Sequence, residues 1–145
     1  MDVVIRDALA PDADQMTRWW GISLRKDNPN YFFQTWESFH EQQDHLIEQL
    51  LSRDTVFSLV ACSPEDPSLM LGFLVFELDS NGKKFIHYIF VERGFRKLGI
   101  AKLLLAKAEI DLERPIVVTH VTNLLKKAPK RFRFTHSPER LTNDQ

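Results

Sequence analysis

The chain has little of what marks the specialised classes of protein. Its 145 residues include one cysteine, Cys62, which excludes an internal disulfide framework and favours a reducing compartment. At the end of an apolar run, Cys62 is predicted to belong to the core. The longest apolar run, 69–76, is too short to cross a bilayer, and the N-terminus has no signal-peptide pattern. We therefore expect a cytoplasmic protein with no membrane partner.

Net charge is also nearly absent, since 19 basic residues face 20 acidic ones. A net charge of −1 provides no strong field that would draw the whole protein onto nucleic acid or a membrane surface. The composition, 43% hydrophobic and 27% charged, is that of a globular protein rather than a disordered one. The length suits a single domain covering 1–145.

The spacing of apolar residues predicts alternating helices and strands. Helical periodicity recurs over 11–24, 36–53 and 100–112, and the last of these helices is expected to end before Pro115. Strands are predicted at 3–5, 56–61, 69–77, 85–91 and 116–121, with one or two helical turns compatible with 123–127 and an edge strand with 131–134. This order indicates a mixed α+β fold in which a mostly antiparallel sheet is flanked by helices.

A tight turn is predicted between the strands at 69–77 and 85–91. Asn81 and Gly82 both tolerate positive φ, and this pair is typical of a two-residue primed turn in a β-hairpin. Two long antiparallel strands therefore precede the most informative loop of the sequence.

That loop runs from Glu92 to Ala101, between the strand at 85–91 and the helix at 100–112. The N-terminus of a helix leaves amide donors unpaired and carries a partial positive charge, so it favours an anion. Gly99 permits close approach of a ligand to the backbone, and small Ala101 does not shield the amides. Cationic side chains at Arg96, Lys97 and Lys102 surround the same point. The best physical match is a pyrophosphate.

Two other phosphate-binding loops are excluded. Gly94 and Gly99 have the spacing of a Walker A loop, but Ile100 and Ala101 replace its lysine and its hydroxyl residue, so a nucleoside triphosphatase is rejected. The chain has no Gly-x-Gly-x-x-Gly, so the dinucleotide fingerprint is missing too.

The remaining pattern, Arg96-x-x-Gly99-x-Ala101 after a strand ending in Val91, resembles the pyrophosphate loop of the GNAT acetyltransferase superfamily. The extended pattern adds Phe95, Leu104 and Leu105. The resemblance covers roughly residues 3–123 and extends to small acetyltransferases encoded by phages. It implies a GNAT acyl-CoA N-acyltransferase fold over 1–145, acetyl-CoA as cofactor, and a primary amine on a small molecule, a protein or a modified base as acceptor.

The resemblance also implies which residues hold the cofactor. The backbone of the segment Ile89, Phe90 and Val91 would pair with the pantetheine arm like an added strand. The pyrophosphate would lie on the amides of the loop residues Arg96, Lys97, Leu98, Gly99, Ile100 and Ala101. Asn123 matches an asparagine that touches the cofactor in the family, although the family's following alanine and tyrosine are not at their usual offsets here.

His87 is the candidate catalytic base. Acyl transfer to an amine requires a deprotonated nitrogen, and a histidine titrates in the right pH range. Strict alternation places His87 on the face of Ile89 and Val91, and its position matches a catalytic histidine of the arylalkylamine N-acetyltransferase branch. A histidine that only fills space is the alternative, as is a water relay.

The general acid is not identified. The family's tyrosine is missing after the strand at 116–121, and the two tyrosines of the chain are Tyr31 and Tyr88. By alternation Tyr88 points away from His87, while Tyr31 lies in a region that shapes the acceptor pocket of relatives. Solvent is the other source of a proton for the leaving thiolate. His120 is expected to be structural, with assistance to the proton transfer as the alternative.

Two further clusters of residues are candidates for binding a metal or a partner. His40 and His45 are five positions apart rather than four, so no metal site is expected. The stretch 126–133 combines Lys126, Lys127, Lys130, Arg131 and Arg133 with Phe132. It suggests an alternative function, a non-catalytic GNAT-fold module binding a protein or nucleic acid, although a solvated edge is the preferred explanation. The oligomeric state is not predicted.

Overall fold

The structure is a computed structural model that describes residues 2–27, 33–111, 113–120 and 133–141, and only the main chain of 96–98. The strands are β1 (Val4–Asp7), β2 (Val56–Cys62), β3 (Met70–Leu78), β4 (Lys84–Val91), β5 (Ile116–Val118) and β6 (Phe134–His136). The α-helices are α1 (Ala13–Asp27), α2 (Trp36–Leu51) and α3 (Ile100–Lys107). Short 3-10 helices cover Ala10–Asp12, Arg93–Leu98 and Pro138–Leu141.

All six strands of the described chain form one sheet in sequence order, β1 to β6. The first three pairings, from β1 to β4, are antiparallel. The pairings of β4 with β5 and of β5 with β6 are parallel. The sheet is therefore mixed rather than mostly antiparallel, because α3 carries the chain back across the sheet before β5 begins.

Helices cover both faces of the sheet. On one face α3 packs through Ile100 and Leu104 against a core that includes Leu74, Ile86 and Ile89. On the other face the apolar sides of α1 and α2 meet a second set of buried residues: Val60, Cys62, Phe73, Val75 and Tyr88. Because β3 is covered on both sides, it is an almost continuous apolar run. Cys62 is buried, as predicted.

Local hydrogen bonds set the starts of the first two helices. The guanidinium of Arg6 donates to both carboxylate oxygens of Asp12, at 2.7 and 3.0 Å, which ties the turn before α1 to β1. Thr35 Oγ1 accepts from the amide of Ser38 at 3.1 Å and is the N-cap of α2. These contacts set the direction in which α1 and α2 cross the sheet.

The hairpin between β3 and β4 is confirmed, but the predicted type of turn is wrong. Gly82 alone of the Asn-Gly pair has positive φ, at 77°. Its amide donates to Asp79 O at 2.9 Å, and Asp79 N donates to Lys83 O at 2.8 Å. This is a type I turn followed by a left-handed glycine, a three-residue loop. Asp79 favours it because its carboxylate accepts from the amides of Asn81 and Lys83.

Helix α3 ends earlier than predicted, at Lys107 rather than near 112. Glu109 takes a left-handed conformation with φ 57°, and its amide donates to Ala106 O while Ile110 N donates to Leu105 O. This pair of bonds is a Schellman motif, which usually has glycine at the left-handed position. Lys84 Nζ donates to Ala108 O at 2.6 Å and stabilises the helix end. The sequence does not indicate this helix end, because a glutamate occupies the left-handed position where glycine is usual.

Within the described residues, no helix has the length and apolar character needed to cross a membrane.

The packing of α3 predicts opposite results for two neighbouring leucines. Leu104 is fully buried against the sheet, whereas Leu103 is 43% exposed. We expect Leu104→Ala to lower the free energy of unfolding by about 2–5 kcal/mol, since it leaves a cavity. Leu103→Ala should change it by about 0.5 kcal/mol or less. Urea denaturation of both variants checks this, and similar losses would mean that α3 packs through another face.

Candidate functional site

The segment after β4 approaches α3 through a left-handed glycine. Glu92 accepts from the amide of Gly94 at 3.0 Å and begins the 3-10 helix Arg93–Leu98. Gly99 follows with φ 72°, a conformation that other residues rarely adopt. A Cβ placed on Gly99 would meet no atom within 4 Å, so the space in front of this residue is open.

The start of α3 directs main-chain donors into that space. Leu103 N donates to Gly99 O at 3.1 Å, so the amides of Ile100 and Ala101 lie ahead of the first helical hydrogen bond. The buried Ile100 side chain anchors the helix end against the sheet. The helix dipole adds a partial positive charge at the same place. This end of α3 can therefore bind an anion, as the sequence predicts for Gly99, Ile100 and Ala101.

The edge of β4 leads from this point towards the centre of the sheet. Just after β4, Glu92 N donates to Leu71 O of β3, at 2.8 Å. By alternation, the main-chain groups of Ile89 and Val91 are directed to the other side, where β5 lies. The described β5 ends at Val118, whose partner on β4 is Ile86, whereas β4 continues to Val91. Within the described residues, these two parallel strands pair at Ile86 and Val118.

A β-bulge in β4 lies at His87, next to Ile86, which pairs with β5. Val75 pairs with Tyr88 and Phe76 with Ile86, so no residue of β3 lies opposite His87 in the strand register. As a result Ile86 and Ile89, three positions apart, share the core on the α3 side, while Tyr88 belongs to the core on the α1 side. The prediction that His87 shares the face of Ile89 and Val91 is wrong. The prediction that the side chains of His87 and Tyr88 point to opposite faces of the sheet is wrong for the same reason.

His87 is fully buried on the side of α1 and α2, and both ring nitrogens are engaged. Nε2 lies 2.6 Å from Glu77 Oε1, and Nδ1 lies 3.1 Å from Thr119 Oγ1. Burial lowers the pKa of His87 below its ordinary value, although the Glu77 carboxylate opposes this. The imidazole is therefore neutral at neutral pH and has no nitrogen directly open to a substrate.

Glu77 is an acidic residue at the end of the apolar run of β3. Its carboxylate accepts from Arg53 at 3.1 Å and from Thr55 Oγ1 at 2.7 Å, besides the contact with His87. Burial on its own raises the pKa of Glu77, but the hydrogen bonds of His87 and Thr55 bring it below its ordinary value. Glu77 was not among the predicted site residues. The available signal was a lone acidic residue in a strand buried on both faces.

His120 lies beside the bulge on the segment after β5. Its Nδ1 is 2.9 Å from the main-chain oxygen of His87 and 3.1 Å from Thr119 Oγ1. The ring stands edge-on to Trp20 and Tyr88, with centroids 5.6 Å from each. Burial lowers the pKa of His120 to about 4. Because it lies beside the bulge, His120 is a candidate site residue.

Several predicted residues lie outside the described part of the chain. They are Tyr31, Asn123, and the basic residues Lys126, Lys127, Lys130 and Arg131. The side chains of Arg96, Lys97 and Leu98 are likewise outside it, so their contacts with an anion stay a prediction. Arg133 is described, and it donates to Glu113 O at 3.1 Å.

The burial of His120 predicts a pH-dependent stability. The unfolded chain protonates this ring near pH 6.5, whereas the folded chain resists protonation until about pH 4. The folded state is therefore favoured fully above pH 6.5 and loses about 3 kcal/mol as the pH falls to 4. Replacement by His120→Gln removes this component and leaves the contribution of His87. Denaturant unfolding from pH 7.5 to 4 measures the two slopes, and parallel curves would contradict the prediction.

Comparisons with known proteins agree with this geometry. A protein of Pyrococcus furiosus assigned as an acetyl transferase is 26% identical, with a TM-score of 0.58 over 74% of this chain and 72% of that one. A ribosomal-protein-alanine N-acetyltransferase of Brucella melitensis is 20% identical, with a TM-score of 0.51 over 74% and 69% of the two chains. An aminoglycoside N-acetyltransferase in complex with CoA is 19% identical, with a TM-score of 0.54 over 74% and 67%. The last two share the fold.

No protein of curated function matches the sequence significantly. The sequence model of the Acetyltransferase (GNAT) family, however, matches residues 14–130, which include α1, the bulge of β4 and the whole of the Gly99 turn. That family uses acetyl-CoA, a cofactor that carries a pyrophosphate. On its fold and this match, the chain belongs to the GNAT acetyltransferase family.

Proposed function

We propose that the protein transfers the acetyl group of acetyl-CoA to a primary amine. The observation that carries this proposal is the continuity of the β4 edge with the left-handed Gly99 turn. Ile89 and Val91 direct main-chain groups to one side, and the donors of Ile100 and Ala101 lie just beyond the same end of the strand. A ligand with an extended amide arm and a diphosphate fits this arrangement.

In this proposal the pantetheine arm pairs with the segment Ile89, Phe90 and Val91. The pyrophosphate lies against the main chain of 96–101, and the open space in front of Gly99 accommodates it. Asn123 completes the cofactor contacts expected from the family. The arm then runs from the Gly99 turn back along β4, which brings its thioester end to the bulge at His87.

Acetyl-CoA supplies an activated carbonyl, and the chain must orient the amine and receive its proton. The bulge turns the His87 side chain towards α1 and α2, so we propose that the amine approaches from that face. His87, paired with Glu77, is proposed as the group that finally takes the proton. Since His87 is fully buried, it does not touch the amine itself.

The acceptor is proposed only as a primary amine, because the residues that distinguish amines lie on α1, α2 and their connection. The phage-like origin, the cytoplasmic location and the oligomeric state stay predictions. A role as a binding module through 126–133 is not proposed, since most of that stretch lies outside the described residues.

Release of free thiol from acetyl-CoA tests the proposal. We expect thiol release with one or more members of a panel of aliphatic diamines, peptides with free N-termini, lysine peptides and aminoglycosides. Typical enzymes turn over at roughly 1–1,000 per second. Mass spectrometry should show one added acetyl group on the amine. Absence of both acetyl-CoA binding at millimolar concentration and thiol release would exclude the proposed function.

Two glycines with the same conformation test where the cofactor lies. Gly99 and Gly82 have φ of 72° and 77°, and a Cβ on either would meet nothing within 4 Å. Alanine at either position should cost about 1–2 kcal/mol of stability from the left-handed backbone. Gly99→Ala should also weaken acetyl-CoA binding by about tenfold or more, roughly 1.4 kcal/mol, because the methyl group occupies the pyrophosphate space.

Gly82→Ala is the control, since it lies in the β3–β4 turn. Calorimetry with acetyl-CoA should find its affinity unchanged. Equal affinities for the two variants would show that the cofactor does not approach Gly99.

A further inference from the structure

Four buried polar side chains form one continuous hydrogen-bonded chain at the bulge of β4, called here the relay: Glu77, His87, Thr119 and His120. Glu77 Oε1 lies 2.6 Å from His87 Nε2, His87 Nδ1 lies 3.1 Å from Thr119 Oγ1, and Thr119 Oγ1 lies 3.1 Å from His120 Nδ1. None of the four is more than 8% exposed. The protein rather than bulk water therefore sets where their protons are.

The two ends of the relay define the direction of every hydrogen bond. Glu77 is ionised and only accepts, so His87 carries its hydrogen on Nε2 and has a lone pair at Nδ1. The Thr119 hydroxyl lies 3.1 Å from this Nδ1 and 3.2 Å from the His87 main-chain oxygen, and donation to Nδ1 is the arrangement that satisfies the ring nitrogen. The main-chain oxygen of His87 also only accepts, so His120 carries its hydrogen on Nδ1. In neutral His120 the lone pair then lies on Nε2. The relay thus presents a proton acceptor at its His120 end.

That end lies next to the proposed thioester. His120 Nδ1 contacts the main-chain oxygen of His87, which the bulge turns towards β5. Ile89, whose main-chain groups face the same side, follows two positions later on β4. The indole of Trp20 stands edge-on to His120, and among the described residues its buried N–H has no hydrogen-bond partner. A buried donor without a partner indicates space for a bound polar group or a water molecule.

We propose, on the basis of the proposed function, that the relay carries the proton of the acceptor amine to His87, with His120 as the catalytic residue that touches the amine. The amine proton passes to Nε2 of His120, and the hydrogen on its Nδ1 passes to Thr119 Oγ1. The hydroxyl hydrogen of Thr119 passes to Nδ1 of His87. One positive charge thus moves from the amine to His87, where the Glu77 carboxylate neutralises it.

The covalent bonds that form and break during this proton transfer also balance. The C–N bond of the new amide forms, the C–S bond of the thioester breaks, and its electron pair stays on sulfur. The thiolate takes up a proton from solvent as CoA leaves, and His87 returns its proton along the relay to His120 Nε2, which releases it to solvent once the amide product has left. No further reactant is required.

Charged groups around the relay favour His87 as the final acceptor. Glu77 is held by Arg53 and Thr55, which keep the carboxylate ionised and in contact with Nε2. His136 lies near the other end, with Nε2 3.1 Å from Thr119 O, and disfavours a charge resting on His120. Glu77, His87 and Thr119 are positioning residues, since they act through His120.

Thr119→Val tests the relay, because valine keeps the shape of threonine and removes the hydroxyl. Loss of acid–base assistance should lower kcat about 100-fold or more, with the affinity for acetyl-CoA unchanged. Thr119→Ser restores the hydroxyl and should return kcat to within about fivefold of wild type. An unchanged kcat in Thr119→Val, or no rescue by serine in folded protein, overturns the relay.

Thr55→Val is the matched control. It removes a buried hydroxyl that bonds to the same Glu77 carboxylate, but outside the path of the proton. We expect it to destabilise the protein and to lower kcat by about tenfold or less, a smaller loss than in Thr119→Val, because Glu77 keeps Arg53 and His87 as partners. If Thr55→Val lowers kcat as much as Thr119→Val, both effects are structural and the relay is wrong.

A measurement on the wild-type protein remains decisive if Thr119→Val does not fold. Single-turnover rates in mixtures of H2O and D2O should curve with the deuterium fraction, because several protons move together. A straight line, or no isotope effect, overturns the relay. In either outcome the wild type still transfers acetyl groups, whereas failure of the proposed function shows as no transfer at all.

Discussion

The buried hydrogen bond between Glu77 Oε1 and His87 Nε2, 2.6 Å long, is the contact on which the centre of the sheet depends. Breaking a buried ionic contact by removing one partner commonly costs about 3–5 kcal/mol, because the remaining group stays buried. The contact holds His87 out of strict alternation and keeps the bulge in β4. Since the bulge turns a main-chain oxygen towards β5, it also positions Thr119 and His120.

The second half of β4 links this polar centre to the start of α3. One strand edge extends from the bulge to Val91, and the left-handed Gly99 turns the chain so that α3 begins just beyond it. The apolar core on the α3 side holds that helix through Ile100 and Leu104. A rigid strand, a rigid helix end and a buried polar group therefore converge, which is the arrangement that an acyl-transfer site requires.

Sequence reasoning predicted the order of elements, the hairpin and the family, because these follow from local periodicity and from a loop with specific residues at specific spacing. It failed at three left-handed or irregular positions. Glu109 ends α3 where a glycine is usual, Asp79 selects a longer turn than Asn81 and Gly82 suggest, and His87 interrupts alternation. Two of these departures are stabilised by a contact from elsewhere, Lys84 on the end of α3 and Glu77 on His87. The turn is stabilised locally by the carboxylate of Asp79.

By itself the sequence determined the helix start after Gly99, since it depends on residues adjacent in the chain. It also identified His87 as a candidate site residue. Only the tertiary structure decided which face His87 occupies and which groups surround it. Glu77, Thr119 and His120 come from β3 and from the segment after β5, so their meeting depends on strand register. A shift of one residue in that register reverses every side chain that follows.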